Sequence, residues 1–203
     1  FWETNINPDL INGWEIFKND AIQFLKENNL NNSIAIGHSM GAVIILLIEI
    51  ENPGTFKNIF LLDPVITSRL KSILYKKLLN IGLIDKFHPM IKRTNSKKMQ
   101  YSDKKEIYTN YRRKNIFSKL SDENLNTYID SIIQHEPDCI RIKLSKQWEN
   151  AIYRNGSIND YSIWENINNI NIPSYVIAPK DGEFGHFNYG KQLKKKNKNF
   201  LNL

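Results

Sequence analysis

Ser33-Ile34-Ala35-Ile36-Gly37-His38-Ser39-Met40-Gly41-Ala42-Val43-Ile44 decides how the rest of the chain is read. A short β-branched run ends in Gly-His-Ser-Met-Gly, and a long apolar stretch follows. This is G-x-S-x-G between a predicted strand and a predicted helix, a pattern that sets a serine on a turn so tight that glycine is expected at both Gly37 and Gly41. On such a turn the Ser39 hydroxyl stands out at the end of the strand, where a base can reach it. The backbone N–H of Met40 falls at a helix N-terminus, where it can hold a developing oxyanion. The pentapeptide alone is a weak signal, and its setting strengthens it. Ile34, Ala35 and Ile36 read as a buried strand, and Ala42 to about Ile50 is almost wholly apolar, as expected beneath a parallel sheet.

The 203 residues suit one domain, or one domain with a large insertion, and an apolar content of 41% allows a real core. The single cysteine, Cys139, excludes an internal disulfide, so nothing points to an oxidising compartment and the expected location is cytoplasmic. No run is long and apolar enough to span a membrane, so stable membrane insertion is not expected. The chain starts at Phe1 and stops at Leu203 inside a predicted strand. It therefore reads as a fragment lacking both termini, and an N-terminal signal stays an open question. The net charge is +7, and Thr67 to Asp160 holds 19 of the 28 Lys and Arg but only 10 of the 21 Asp and Glu. Attraction to anionic substrates or surfaces is one reading of that excess. The reading preferred is a solvated helical surface in a chain rich in Lys, Asn and Ile. Nucleic acid is not an expected partner, because no tight basic cluster is interleaved with stacking aromatics.

Working outward, Trp14, Phe17, Ala21, Phe24 and Leu25 recur at helical spacing and predict a helix from Trp14 to about Glu27. Asn58-Ile59-Phe60-Leu61-Leu62-Asp63-Pro64 predicts a second short buried strand. Short strands alternating with helices argue for a parallel sheet in an α/β fold. From Thr67 to about Gly156 the pattern is almost only helical, with starts expected at Thr67 or Ser68, Ser102, Ser121 and Ser145. Phe87 to Gln100 has little periodicity and reads as a loop. The α/β pattern resumes with a helix from Tyr161 to Ile170, a strand from Ile172 to Ala178, a loop through Asp181, a basic helix around Tyr189 to Lys196, and a strand starting at Phe200.

Gly37-His38-Ser39-Met40-Gly41, Leu61-Leu62-Asp63-Pro64, and Trp164…Ile170-Asn171-Ile172-Pro173 followed by Ala178-Pro179-Lys180-Asp181 together resemble the α/β-hydrolase fold family. The resemblance covers nearly the whole chain. It departs mildly where Ala178 stands in place of the usual glycine of the acid loop. It implies a mostly parallel sheet with a helical cap inserted after the strand that follows the nucleophile strand. The expected divisions are residues 1–66 for the first part of the core, 67–160 for the cap, and 161–203 for the acid-loop part of the core. Tyr111-Arg112-Arg113, Phe117, Tyr128-Ile129 and Trp148 to Tyr153 loosely resemble cap segments of bacterial esterase-like members.

The resemblance implies a serine hydrolase. Ser39 is the expected nucleophile, activated by a base that a carboxylate holds in place. Asp181 is the expected acid, following Ser39 in chain order at a strand's C-terminal end. Asp63 is its rival, although Asp-Pro reads more easily as a strand-end cap and helix entry, and Glu183 comes third. The family's histidine lies just past the strand that begins near Phe200, so the base is expected beyond Leu203. Of the four histidines present, His186 is the one conceivable substitute, five residues after Asp181. His38 is expected to pack beside the site, and His88 and His135 to lie at the cap's surface. The second oxyanion donor of the family comes from a loop before Phe1, leaving Met40 as the donor in view. Tyr128, Trp148 and their cap neighbours are candidates for lining an acyl pocket, or for ordinary packing.

No cofactor is expected. One Cys and scattered His give no metal-ligand spacing, and Gly37 to Gly41 lacks the Lys-Ser/Thr of a phosphate loop. The expected reaction is hydrolysis of a carboxylic ester on a small-molecule acyl substrate, through an acyl-enzyme on Ser39. Thioester, lactone or carbon–carbon bond hydrolysis, or acyl transfer, are the alternatives the same fold admits. Two readings from other classes are a non-catalytic protein of this fold that binds a ligand or partner, and a basic surface for anionic lipid. The sequence does not speak to oligomeric state.

Overall fold

The computed structural model describes residues 7–179 and 186–202. In chain order the elements are α1 (Glu15–Glu27), β1 (Ser33–His38), α2 (Met40–Glu51), β2 (Phe56–Leu62), α3 (Arg69–Asn80), α4 (Ile84–Phe87), α5 (Pro89–Asn95), β3 (Gln100–Tyr101), α6 (Lys104–Arg112), α7 (Asp122–Ile132), β4 (Ile133–His135), β5 (Ile140–Ile142), α8 (Lys146–Asn155), α9 (Asp160–Asn166), β6 (Ser174–Ile177), α10 (His186–Lys196) and β7 (Phe200–Asn202). Two compact units emerge. One is Ile11–His88 with Ile152–Leu203, and the other is Pro89–Ala151 with the described residues before Ile11.

The first unit holds a sheet of order β1-β2-β6-β7, with every pair parallel. The chain leaves β2, makes the helical insertion, and returns as β6 at β2's side, with Leu62 opposite Ile177. α2 packs against β1 and β2, and α10 against β6 and β7. Ala42, Val43, Leu46, Leu47, Ile48 and Ile50 of α2 are buried with Ile59, Leu61, Val176 and Phe200 of the sheet. Burying each such Leu or Ile contributes about 1.5–3 kcal/mol, which is why so uniformly apolar a helix goes beneath the sheet.

β1 departs from expectation. Among the described residues it lies at the edge of the sheet, and Ile34 and Ile36 are 59% and 66% exposed. The run Ile-Ala-Ile suits a strand covered on both faces, but here only the face of Ala35 and Gly37 meets α2. On the other face Ile36 lies opposite Phe60, which stacks on Tyr175 with ring centres 4.6 Å apart.

Buried polar groups pin the connections of this unit. Glu49 is fully buried on α2, and its carboxylate accepts from Gly54 N–H at 2.6 Å and Phe56 N–H at 3.1 Å, fixing the turn into β2. Lys18 ties α1 to α2 through Glu51 at 2.5 Å, with Glu15 at 2.6 Å. Asp160 is fully buried and accepts from Trp14 Nε1 at 3.0 Å and Thr67 N–H at 2.7 Å, while Trp164 Nε1 donates to Thr67 O at 2.8 Å. Both backbone groups of Thr67 are thus held. α3 starts two residues later at the Ser68 N-cap and ends before Gly82, whose φ of +70° closes the helix as a glycine C-terminus does.

The second unit surrounds Tyr101, Ile107, Tyr111, Leu125, Ile129, Ile133, Ile140 and Ile142. It differs from expectation in three ways. It contains an antiparallel sheet of order β3-β5-β4 where only helices are predicted. The strands are two or three residues long, too short for their alternation to stand out, and Pro137-Asp138 forms the tip of the β4–β5 hairpin rather than a mere helix break. Pro89–Asn95 is a helix instead of a loop: proline suits a first helical position, and Ile91 and Thr94 are its buried residues. Asp103, not Ser102, caps α6, accepting from Glu106 N–H at 2.7 Å. Ser121 and Ser145 sit at the starts expected of them, accepting from Asn124 N–H and Trp148 N–H at 3.2 Å each.

The anchor made by Asp160 and Trp14 can be tested from both sides. A side chain at Gly156 would drive its Cβ into the Trp14 ring, so Gly156→Ala is expected to destabilise by about 1–3 kcal/mol in urea unfolding. Burial pushes the Asp160 carboxyl up to about 7 against the pull of its donors from Thr67 and Trp14. An acid whose folded pKa is raised holds its proton where the unfolded chain has lost it. Its contribution is therefore full below about pH 4 and lost as pH rises to about 7, on the order of a few kcal/mol. Asp160→Asn is expected to flatten that segment of a melting-temperature against pH profile.

Candidate active site

The site is built where β1, β2 and β6 end side by side. His38, Leu62 and Ile177 are in register across the three strands. The residue after each continues the ladder: Ser39 N–H donates to Leu62 O at 2.9 Å, and Asp63 N–H donates to Ile177 O at 2.7 Å. Ser39, Asp63 and Ala178 therefore leave the sheet as neighbours at its C-terminal edge.

Ser39 has φ 53° and ψ −115°, a conformation a serine rarely adopts. It is the N-cap of α2, yet its side chain makes no capping hydrogen bond. The hydroxyl is thus not engaged in capping its own helix. Met40 is the first residue of α2, so its N–H has no acceptor one turn back within the helix. A positive-φ serine followed directly by an N1 amide is an arrangement that can present a nucleophile and stabilise an oxyanion together.

The two glycines of the pattern are not equivalent. A Cβ on Gly37 would lie 2.6 Å from Gly41 C, 2.6 Å from Ile45 Cδ1 and 2.7 Å from Ala42 N. α2 comes so close to β1 that no side chain fits between them. A Cβ on Gly41 would meet nothing within 4 Å, so the expected steric need for glycine there is not found.

Asp63 also has a positive φ, 44°, and is half-buried. It is not a helix-entry residue, because α3 begins at Arg69 under the Ser68 cap. His38 is exposed beside Ser39 at the end of β1. Asp181 and Glu183 lie outside the described residues, and His186 opens α10. Tyr128 and Trp148 belong to the second unit, where Tyr128 packs its ring 6.0 Å from Tyr111 and 4.8 Å from Phe117. His135 is exposed, but His88 is buried between the rings of Tyr75 and Tyr153, at 4.6 and 6.0 Å. Burial and the Lys71 charge lower its pKa to about 4, so it is neutral near pH 7. Packing against two aromatic rings outweighs the exposure its polarity suggests. Among the described residues no cluster of three His, Cys, Asp or Glu is arranged to hold a metal, and no helix is long and apolar enough to cross a membrane.

Known proteins share this fold. Residues 9–138 match the model of the serine aminopeptidase S33 family. The chain belongs to that family. Its parallel sheet, serine turn and helical cap inserted after β2 are those of the α/β-hydrolase fold, and it is a member of the esterase-like serine-hydrolase superfamily. The peroxisomal α/β-hydrolase Lpx1 of Saccharomyces cerevisiae superposes with a TM-score of 0.69 at 16% identity, over 96% of this chain and 53% of that one. A thioesterase domain from the curacin biosynthetic pathway gives 0.66 at 15% identity, over 98% of this chain and 66% of that one. These likenesses show the fold. Ethanol acetyltransferase 1 of Hanseniaspora uvarum is 36% identical over 50 residues, which is 25% of this chain and 15% of that protein. The chain thus spans between about half and two thirds of the length of these two solved structures.

The contrast between the glycines is testable. Gly37→Ala is expected to lower the melting temperature and abolish reaction of Ser39 with a fluorophosphonate. Gly41→Ala is expected to leave stability within about 1 kcal/mol of the parent, because alanine favours a helix and meets no clash.

Proposed function

We propose that the chain carries the nucleophile of a serine esterase acting on a small-molecule acyl substrate. Ser39 Oγ attacks the acyl carbon, and its proton passes to a histidine base as the carbon–oxygen bond forms. Met40 N–H donates to the oxyanion of the tetrahedral intermediate. Collapse of that intermediate expels the alcohol, protonated by the same base, and leaves an acyl-enzyme on Ser39. Water then releases the acid and restores the hydroxyl. The observation that carries this reading is the Ser39 turn itself, with φ 53°, ψ −115° and a hydroxyl not used to cap its helix.

Asp181 is the carboxylate proposed to orient the base. The strained backbone of Asp63, one strand over from Ser39, favours a second assignment in which Asp63 takes that role. The 50-residue likeness to a protein named as an ethanol acetyltransferase favours a second outcome for the acyl-enzyme, transfer to an alcohol instead of to water. In either case the first half-reaction is the same.

A fluorophosphonate probe and p-nitrophenyl esters of increasing acyl length test the proposal. Ser39 is expected to be the labelled residue, and Ser39→Ala to remove both labelling and the p-nitrophenol burst. Labelling that persists in Ser39→Ala would sink the reading. Replacing the true acid by asparagine is expected to slow acylation by about 10³-fold or more, and the other substitution by less than about tenfold. Comparing Asp181→Asn with Asp63→Asn therefore assigns the role. Adding ethanol to the acylated protein separates transfer, which yields an ethyl ester, from hydrolysis.

A further inference from the structure

α3 carries a second apolar side. Ser72 and Tyr75 are its buried residues, and the helix packs on α9. At helical spacing Leu70, Ile73, Leu74 and Ile81 fall on the side opposite to these, in an arc roughly 100° wide. All four are exposed, Leu70 at 82% and Ile81 at 65%. After the reversal at Gly82, Leu83 and Phe87 are exposed as well. Single exposed apolar side chains are ordinary, but a row of them along one helix marks a surface that binds.

The charge along this stripe has one sign. From Arg69 to Ile84 there are four basic residues, Arg69, Lys71, Lys76 and Lys77, and no Asp or Glu. Lys77 falls within the arc of the stripe, while Lys71 and Lys76 lie on its two flanks. The flanking ammonium groups stand 5.5 Å from the Tyr75 ring centre and 5.3 Å from that of Tyr161. Among the described residues these three lysines pair with no carboxylate. The nearby acids are taken, Glu165 by Arg69 at 2.8 Å and Asp85 by Arg154 at 2.6 Å.

We propose that the outer face of α3, with Leu83 and Phe87, docks on an anionic lipid surface. Twelve residues make a helix about 18 Å long, which lies in the plane of the headgroups with its leucines among the acyl chains. The stem of Lys77 stays with the apolar stripe while its ammonium reaches up to the phosphates. Lys71 and Lys76 add attraction from either flank. Charge complementarity selects this occupant. A second copy on the same stripe would set these cations against themselves, and an apolar protein surface would leave Lys77 buried without a counter-charge. No described helix is long and apolar enough to cross a membrane, so the attachment is peripheral.

Sedimentation with phosphatidylcholine vesicles containing phosphatidylserine tests the docking. The chain is expected to bind them, to bind pure phosphatidylcholine vesicles at least about tenfold more weakly, and to be released by high salt. Leu70→Gln combined with Leu74→Gln should weaken binding by about tenfold or more, with the melting temperature unchanged because both side chains are exposed. Lys77→Gln should weaken it about fivefold. Phe24→Gln, at an equally exposed ring on α1, should change it less than about twofold. Ser39→Ala should bind as the parent does, so the outcome is independent of the esterase reading. An environment-sensitive dye on the cysteine of Leu74→Cys, in a Cys139→Ser background, should shift to the blue when the vesicles are added. Absence of binding, equal binding to neutral vesicles, an equal loss in Phe24→Gln or an unshifted dye would overturn the proposal. So would a dimer in solution that the paired leucine substitutions dissociate, which would assign the stripe to a second copy.

Discussion

The close approach of α2 to β1 over Gly37 is the contact on which the site depends. At that point the helix backbone stands where a side chain on the strand would be, with Gly41 C and Ala42 N only 2.6 and 2.7 Å from the position a Cβ would take. An apolar helix this near the sheet leaves no length for a relaxed loop between them. The chain must reverse within one residue, and Ser39 takes the left-handed backbone that the reversal demands. Burial of Val43, Leu46 and Leu47 holds α2 down, and the Ser39 N–H to Leu62 O bond holds the strand end. Strain of about 1–3 kcal/mol in the turn is small beside the apolar burial that enforces it.

Around this contact the fold fixes its loops with buried polar groups. Glu49 terminates α2 into the turn before β2, and Asp160 fastens Thr67 after β2. Each acts at long range on the position of β2, whose end carries Asp63. Their carboxylates replace lost water with backbone N–H donors, the condition for burying an acceptor at tolerable cost. Trp14 adds the third side of the Asp160 network and packs on Gly156, so the start of α1 and the end of the insertion share one anchor in the sheet's own unit.

The long elements of the fold were legible in the sequence because their signals are local. The α1 stripe, the apolar α2, the Gly82 stop and the strands around Leu61 and Val176 each follow from periodicity or glycine chemistry. The short sheet of the insertion was not legible, since two- and three-residue strands gain their identity from partners distant in sequence. The exposure of Ile34 and Ile36 was also hidden: β-branched residues report that a strand forms, not which of its faces is covered. The tight turn at Ser39 and the helix start at Met40 were legible from five residues. The left-handed backbone of Asp63 was not, because it arises from the ladder bond to Ile177, a contact made only after the insertion returns. The basic excess of the middle segment looked uniform in the sequence. In the structure Lys104 and Arg112 pair with Asp130 and Asp122, while Lys114 lies over the Tyr111 ring.

Two adjacent strand ends with non-glycine residues at positive φ are a costly arrangement, and the ladder explains how it persists. Ser39 N–H and Asp63 N–H each bond to the carbonyl at the end of the next strand, so relaxing either residue would break a sheet bond as well as turn its side chain. The strain is therefore shared by the register of three strands and not by a flexible loop. This makes the backbone that carries Ser39 a property of the sheet. A nucleophile of the kind proposed at Ser39 serves hydrolysis and acyl transfer equally in its first half-reaction. The distinction between them belongs to whatever admits or excludes water at the acyl-enzyme, a separate choice that the same sheet can host without altering the turn.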